Sequence, residues 1–182
     1  DYWRTVIADF PVSAANALRA EKLGHPDALL KECRPLLGLK EADPDTLPDS
    51  VRQWLTEAGP QAEQADQTRR ILDTERDTLR QWVVDGIHNK WLNGASYKAD
   101  NLGKMFAAVD AFIRGEILDK DRLKELKKFS LSGLKLNKQH QDKQPDLACL
   151  AALDRYFEAR DGNPLPRTDL LAHAAAWIHQ RV

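Results

Sequence analysis

The sequence is poor in cysteine, with only Cys33 and Cys149, and has a single methionine, Met105. Two cysteines so far apart make neither a disulfide scaffold nor a zinc site. A reduced, cytosolic protein is the simplest account of them. No apolar run approaches the ~20 residues that a membrane-spanning helix requires. The opening "DYWRTVIADFP" carries acids where a secretory leader would carry a basic region, so no signal peptide is visible. Net charge is lacking too. With 27 basic and 28 acidic residues the chain stands at −1, so any contact with a polyanion must come from a local patch. β-branched residues are sparse, and no alternating run argues for a strand.

Catalytic constellations are also missing. The histidines (His25, His88, His140, His173 and His179) are scattered, and the last two, six apart on one predicted helix, do not share a face for a metal. Ser130 and Ser132 in "FSLSGL" do not form a nucleophile elbow. Gly94, Gly103 and Lys104 do not have phosphate-loop spacing: the glycines are nine apart, and Met105 follows the lysine. No acid is forced into a like-charge pair that would tune its pKa. The five tryptophans fall mostly on apolar stripes, where core packing is the default reading. These absences predict a chain with no catalytic, cofactor or metal residues of its own.

What is present is helical periodicity, hydrophobic content of 42% and charged content of 30%, ordinary for a helix-rich globular chain of 182 residues. Leu29, Cys33 and Leu36/Leu37 predict a helix that starts at Pro26 and ends at Gly38. The acidic, proline-bearing "EADPDTLPDS" reads as a loop, with Asp45 or Asp49 capping the next helix. Gly59-Pro60 is expected to break that helix, and a long one follows from about Gln61 to Trp91, closing at Gly94. Its length calls for an antiparallel neighbour to cover its apolar stripe. Further helices are predicted with Leu102, Met105, Phe106, Val109, Phe112 and Ile113 inward, then at Asp119 to Lys128, Asp146 to Ala159 and Arg167 to Val182. The expected fold is all-α: an irregular bundle of about seven to eight helices, one of them long, forming a single domain over residues 1–182. The start at Asp1, the lone Met105 and the ending "AAAWIHQRV", still in helical register, suggest a domain taken from a longer chain.

One segment breaks the charge balance. "KDRLKELKKFSLSGLKLNKQHQDK", Lys120 to Lys143, holds eight basic residues against three acids, Asp121, Glu125 and Asp142. It divides into a short amphipathic helix, "KDRLKELKK", and a polar, irregular loop, "SLSGLKLNKQHQDK". In the helix, Asp121 and Glu125 offer local partners to Lys124 and Lys128. The loop has less acid and more freedom. Two readings stay open: a polyanion site, or a solvated helix and loop.

The order of local patterns resembles the RecB family, the UvrD-like helicase-nuclease subunits of bacterial exodeoxyribonuclease V. The matching pieces are "DYWR", "GHPDALLKECRPLL", the long charged helix, "LNGASYKADNLGKMFAAVDAFI", "LKELKKFS", a polar loop and "PDLACLAALDRYFE". Each is a weak helix-packing pattern; their order and spacing over essentially the whole chain carry the resemblance. It implies domain 1B, a helical insertion in the first motor domain that acts as an arm on duplex DNA ahead of the fork. ATP and Mg²⁺ would bind elsewhere in the parent chain, whose nuclease domain also lies outside this region. RecC- and RecD-like subunits would be its partners, in the bacterial cytoplasm. The duplex-contact candidates are then Lys120, Arg122, Lys124, Lys127, Lys128, Lys135, Lys138 and Lys143, because phosphate attraction needs charge and reach rather than base readout. An insertion must leave and re-enter its host, so Asp1 and Val182 are expected to lie close together. The alternative is a structural helical module that docks a partner subunit through a patch containing Trp3, Trp54 or Trp91.

Overall fold

The computed structural model describes residues 2–37 and 43–181. Among them are eight α-helices and no strand: α1 (Tyr2–Thr5), α2 (Val12–Ala20), α3 (Pro26–Cys33), α4 (Asp49–His88), α5 (Leu102–Ile113), α6 (Lys120–Lys127), α7 (Ala148–Gly162) and α8 (Arg167–Arg181). The all-α expectation, one long helix included, matches this architecture. Gly38, the expected end of the α3 segment, falls outside the described residues, and so do Asp1 and Val182.

Two compact units share these helices. One comprises Asp1–Ala62 and Arg160–Val182, the other Glu63–Ala159. In the first, Phe10 stacks edge-on to Trp54 at 6.4 Å between ring centroids. Leu18, Leu23, Val51, Leu170 and Ala174 fill the rest of this core. The two described chain ends meet here: Tyr2 of α1 lies edge-on to Trp177 of α8 at 5.5 Å, and its hydroxyl sits 2.7 Å from Nδ1 of buried His173. Trp54 is a core residue, and Trp3 packs against the same cluster, so a shared exposed tryptophan patch does not form around Trp54.

The second unit is built on the antiparallel pairing expected for the long helix. Along α4, Arg69 donates to the Phe112 carbonyl at 3.1 Å, Arg76 forks onto Asp110 with Nη2 to Oδ2 at 3.0 Å, and Arg80 lies over the Phe106 ring. The α4 numbers rise as the α5 numbers fall. α7 also runs antiparallel to α4: Thr68 donates to the Ala152 carbonyl, and Glu75 accepts from the amides of Ala148 and Cys149, at 3.2 and 2.8 Å. Glu75 therefore caps α7 from another helix, which satisfies its orphan N–H groups without a local capping residue. Burial together with this carboxylate pushes the Cys149 thiol up to about 12.

Two boundaries differ from expectation. α4 runs unbroken through Gly59 and Pro60. Proline removes one donor, leaving the Thr56 carbonyl without its helical partner. Thr56 and Pro60 are both exposed, so water can take up that carbonyl. Buried Val51, Trp54 and Ala58 before the proline, and Ala65, Thr68 and Leu72 after it, hold the helix on both sides. The helix then stops at His88, not at Gly94. Trp91 N–H bonds the Gly86 carbonyl at 2.8 Å and Lys90 N–H the Ile87 carbonyl at 3.2 Å, the paired bonds of a Schellman ending. Lys90 occupies its left-handed position, φ 59°. At the start of α4 it is the Pro48 carbonyl that takes the amides of Val51 and Arg52, with Asp49 inside the first turn.

Candidate nucleic-acid interface

α6 forms as an amphipathic helix. Asp119 caps it, its Oδ1 accepting from Arg122 N–H at 2.8 Å. Leu126 is buried and Leu123 packs on the second unit's core. Several basic candidates on this segment are committed within the fold. Lys128 pairs with Glu125 at 2.6 Å, the i,i+3 pairing its spacing offers. Lys127 places its ammonium 5.3 Å from the centre of the Phe157 ring. Arg122 reaches Glu116 at 3.6 Å. Lys120 and Lys124 are exposed and meet no carboxylate at ion-pair distance among the described residues.

The loop after α6 is not the free segment its composition suggests. Ser130 is fully buried. Ser132 is held by Asp154, which accepts from its hydroxyl at 2.6 Å and from its amide. A Cβ on Gly133 would sit 1.9 Å from the Lys127 carbonyl oxygen, so only glycine lets the chain double back this closely over the end of α6. Leu134 and Leu136 pack on the core. Residues Lys138–Lys143 form a 3-10 segment kinked at His140, and the Lys143 carbonyl accepts from the Trp82 indole at 3.1 Å. A loop with leucine at 134 and again at 136 has an apolar face to bury, and burying it costs the freedom that its polar residues imply.

This pinned loop meets the segment that follows α4. Leu92 and Leu136 form an isolated antiparallel bridge, flanked by bonds from Asn93 N–H to the Lys135 carbonyl at 2.9 Å and from Asn137 N–H to the Trp91 carbonyl at 2.7 Å. The Asn137 side chain adds donors to the carbonyls of Lys90, at 2.7 Å, and Leu92, at 3.1 Å. Tyr97 buttresses the junction: its hydroxyl donates to the Lys128 carbonyl and accepts from Lys135 N–H. The Asn137 side chain ties the Lys90 backbone to the residue just before Lys138, and Lys135 lies one step before the bridge. All three lysines are exposed, and none meets a carboxylate at ion-pair distance among the described residues. Nearby acids are engaged elsewhere: Asp85 accepts from Gln81 at 2.9 Å, and Asp142 pairs with Lys143 at 3.1 Å.

The eight candidates therefore divide. Lys135 and Lys138 flank the bridge; Lys143, at the end of the 3-10 segment, is partly neutralised by Asp142; and the α6 residues form a separate group, in which Arg122 and Lys128 pair with carboxylates while Lys120 and Lys124 do not. Sequence reasoning missed Lys90 and offered Trp91 only for a partner-docking patch, because nothing local shows that residues near 91 meet residues near 136. The only signal is a shared Leu-Asn dipeptide, Leu92-Asn93 and Leu136-Asn137. In both, leucine turns inward and asparagine bonds backbone groups, Asn93 accepting from Ala95 and Ser96. Among the described residues no group of three or more His, Cys, Asp or Glu could hold a metal, and no helix is long and apolar enough to cross a membrane. Comparison with protein-family models, curated proteins and solved structures gives no match to this chain.

Proposed function

We propose that this chain is the accessory, duplex-contacting domain of an ATP-dependent DNA helicase and exodeoxyribonuclease of the RecB type, acting in double-strand-break repair and recombination. The observation that carries the reading is the clasp of Lys135, Lys138 and Lys90, three exposed ammonium groups on a hydrogen-bonded platform with no carboxylate in pairing range among the described residues. Like charges held together are unfavourable unless an anion joins them, and closely spaced phosphates are such an anion. Lysine suits a motor's accessory domain because it grips phosphate without reading bases, so binding does not stall at particular sequences. The order of the sequence motifs supplies the family part of the proposal. In this reading the fragment has no catalytic role, the parent chain binds ATP and Mg²⁺ elsewhere, and RecC- and RecD-like subunits are its neighbours.

The test is fluorescence anisotropy of the 182-residue chain with blunt DNA duplexes of two unrelated sequences, across a salt series. Weak binding, indifferent to sequence, is expected. Three lysines on phosphates give a slope of about −3 in log affinity against log salt. The double substitution K135E/K138E should abolish most of that slope. Absence of binding at low salt, or strong preference for one sequence, would sink the proposal.

A further inference from the structure

Trp91 is placed differently from the other tryptophans. Trp54 and Trp177 are buried in the first unit's core and Trp3 packs against it, while Trp82 packs against the core of the second. Trp91 alone of the five belongs to neither cluster. It is half-buried, and its indole N–H finds no hydrogen-bond partner among the described residues. Its place is fixed all the same. Its amide is the closing bond of the α4 ending, its carbonyl accepts from Asn137, and adjacent Leu92 is anchored inward at 3% exposure. The bond from Asn137 N–H to its carbonyl sets Trp91 across from Asn137, with Lys90 beside it in the chain and Lys138 beside Asn137. The result is a half-buried aromatic residue on a hydrogen-bonded platform, next to Lys90 in the chain and across the bridge from the Lys135–Lys138 segment.

We infer that Trp91 is a base-stacking element: its indole takes an unpaired base at a frayed or single-stranded DNA end while Lys90, Lys135 and Lys138 hold the flanking phosphates. The inference rests on the DNA-contacting reading above and extends it, from duplex phosphate to the junction between duplex and single strand. An indole and ammonium groups set side by side match the two surfaces of a nucleotide, a flat π face and an anion. Stacking is sequence-tolerant because every base has that face. An acidic polypeptide would satisfy the lysines and leave the ring unused, so the pairing of the two favours nucleic acid.

The experiment compares a blunt duplex with the same duplex carrying an oligothymidylate tail, using the full 182-residue chain at low salt. Anisotropy gives affinity, and quenching of tryptophan emission reports stacking. The tailed duplex should bind about fivefold tighter or better. W91A should remove that preference and the quenching, leaving blunt-duplex affinity within about twofold of wild type. W91F, which keeps a ring and guards against a folding artefact checked by circular dichroism, should retain most of the preference. Equal tail preference in W91A and wild type overturns the stacking role, and if K135E/K138E still lowers both affinities the duplex reading survives it. Competition by polyglutamate equal to that by tailed DNA and indifferent to W91A marks a plain polyanion patch and also overturns it. No binding of either DNA overturns both readings together.

Discussion

Lys90 occupies a backbone conformation that glycine or asparagine normally takes at the end of a helix. Lys22 does the same after α2, at φ 61°, with Leu23 N–H closing onto the Leu18 carbonyl at 2.8 Å. A side chain there crowds its own carbonyl, at a cost of roughly 1–2 kcal/mol. The two positions form a natural pair for an experiment. K90G and K22G should each raise stability by about 1 kcal/mol, read as a shift in urea midpoint. Only K90G should weaken binding to duplex DNA, because only Lys90 stands on the clasp. Equal effects of both on binding would show that Lys90 serves the fold alone. Neither conformation is legible in the sequence: "HNKW" and "AEKL" carry no glycine, and Gly94 offers a better-looking stop a few residues late. The helix ends early because Leu92 must fold back over Gly86, where an added Cβ would lie 2.9 Å from the Leu92 Cδ1 atom.

At the scale of elements, α6 and the loop after it exchange the roles that composition suggests. α6 is dense in lysine, but its i,i+3 spacing lets Glu125 claim Lys128, and Phe157 lies under Lys127. The loop has fewer charges, and they are less compensated. Charge reversal should separate the two. K127E/K128E puts a third and fourth acid around Glu125 and should cost about 1 kcal/mol of stability by urea unfolding, with less loss of duplex affinity than K135E/K138E. The opposite ranking in affinity would move the interface to α6. The positions of α5, α6 and α8 are readable from apolar spacing because each buries one stripe. The continuity of α4 through Pro60 is not, since it depends on which side of the helix meets water.

At the scale of the molecule, two cores fill the described residues, and a buried histidine belongs to only one of them. His173 is 2% exposed, takes Tyr2 on Nδ1, and its Nε2 meets no hydrogen-bond partner among the described residues. Burial holds its pKa below the ordinary 6.5, outweighing the Asp43 and Asp45 carboxylates and the Pro44 carbonyl, which favour the cation. The unfolded chain therefore takes up this proton first as pH falls. Its contribution to stability is complete above 6.5 and is lost below it, down to the depressed folded value. Hydrogen exchange should show the first unit loosening through that range before the second, and H173Q should flatten the dependence. An unchanged slope in H173Q would assign it to other groups.

The sequence by itself determined the all-α class, the long helix, most helix cores and the local excess of lysine, because these follow from periodicity and composition within a few turns. Only the tertiary structure decided that Leu92 meets Leu136, that Glu75 caps α7, that the lysine-rich loop is pinned, and that Trp91 stands outside both cores. Each joins residues far apart in the chain, where the gain comes from burying apolar faces and satisfying backbone groups together, and no local pattern records the partner.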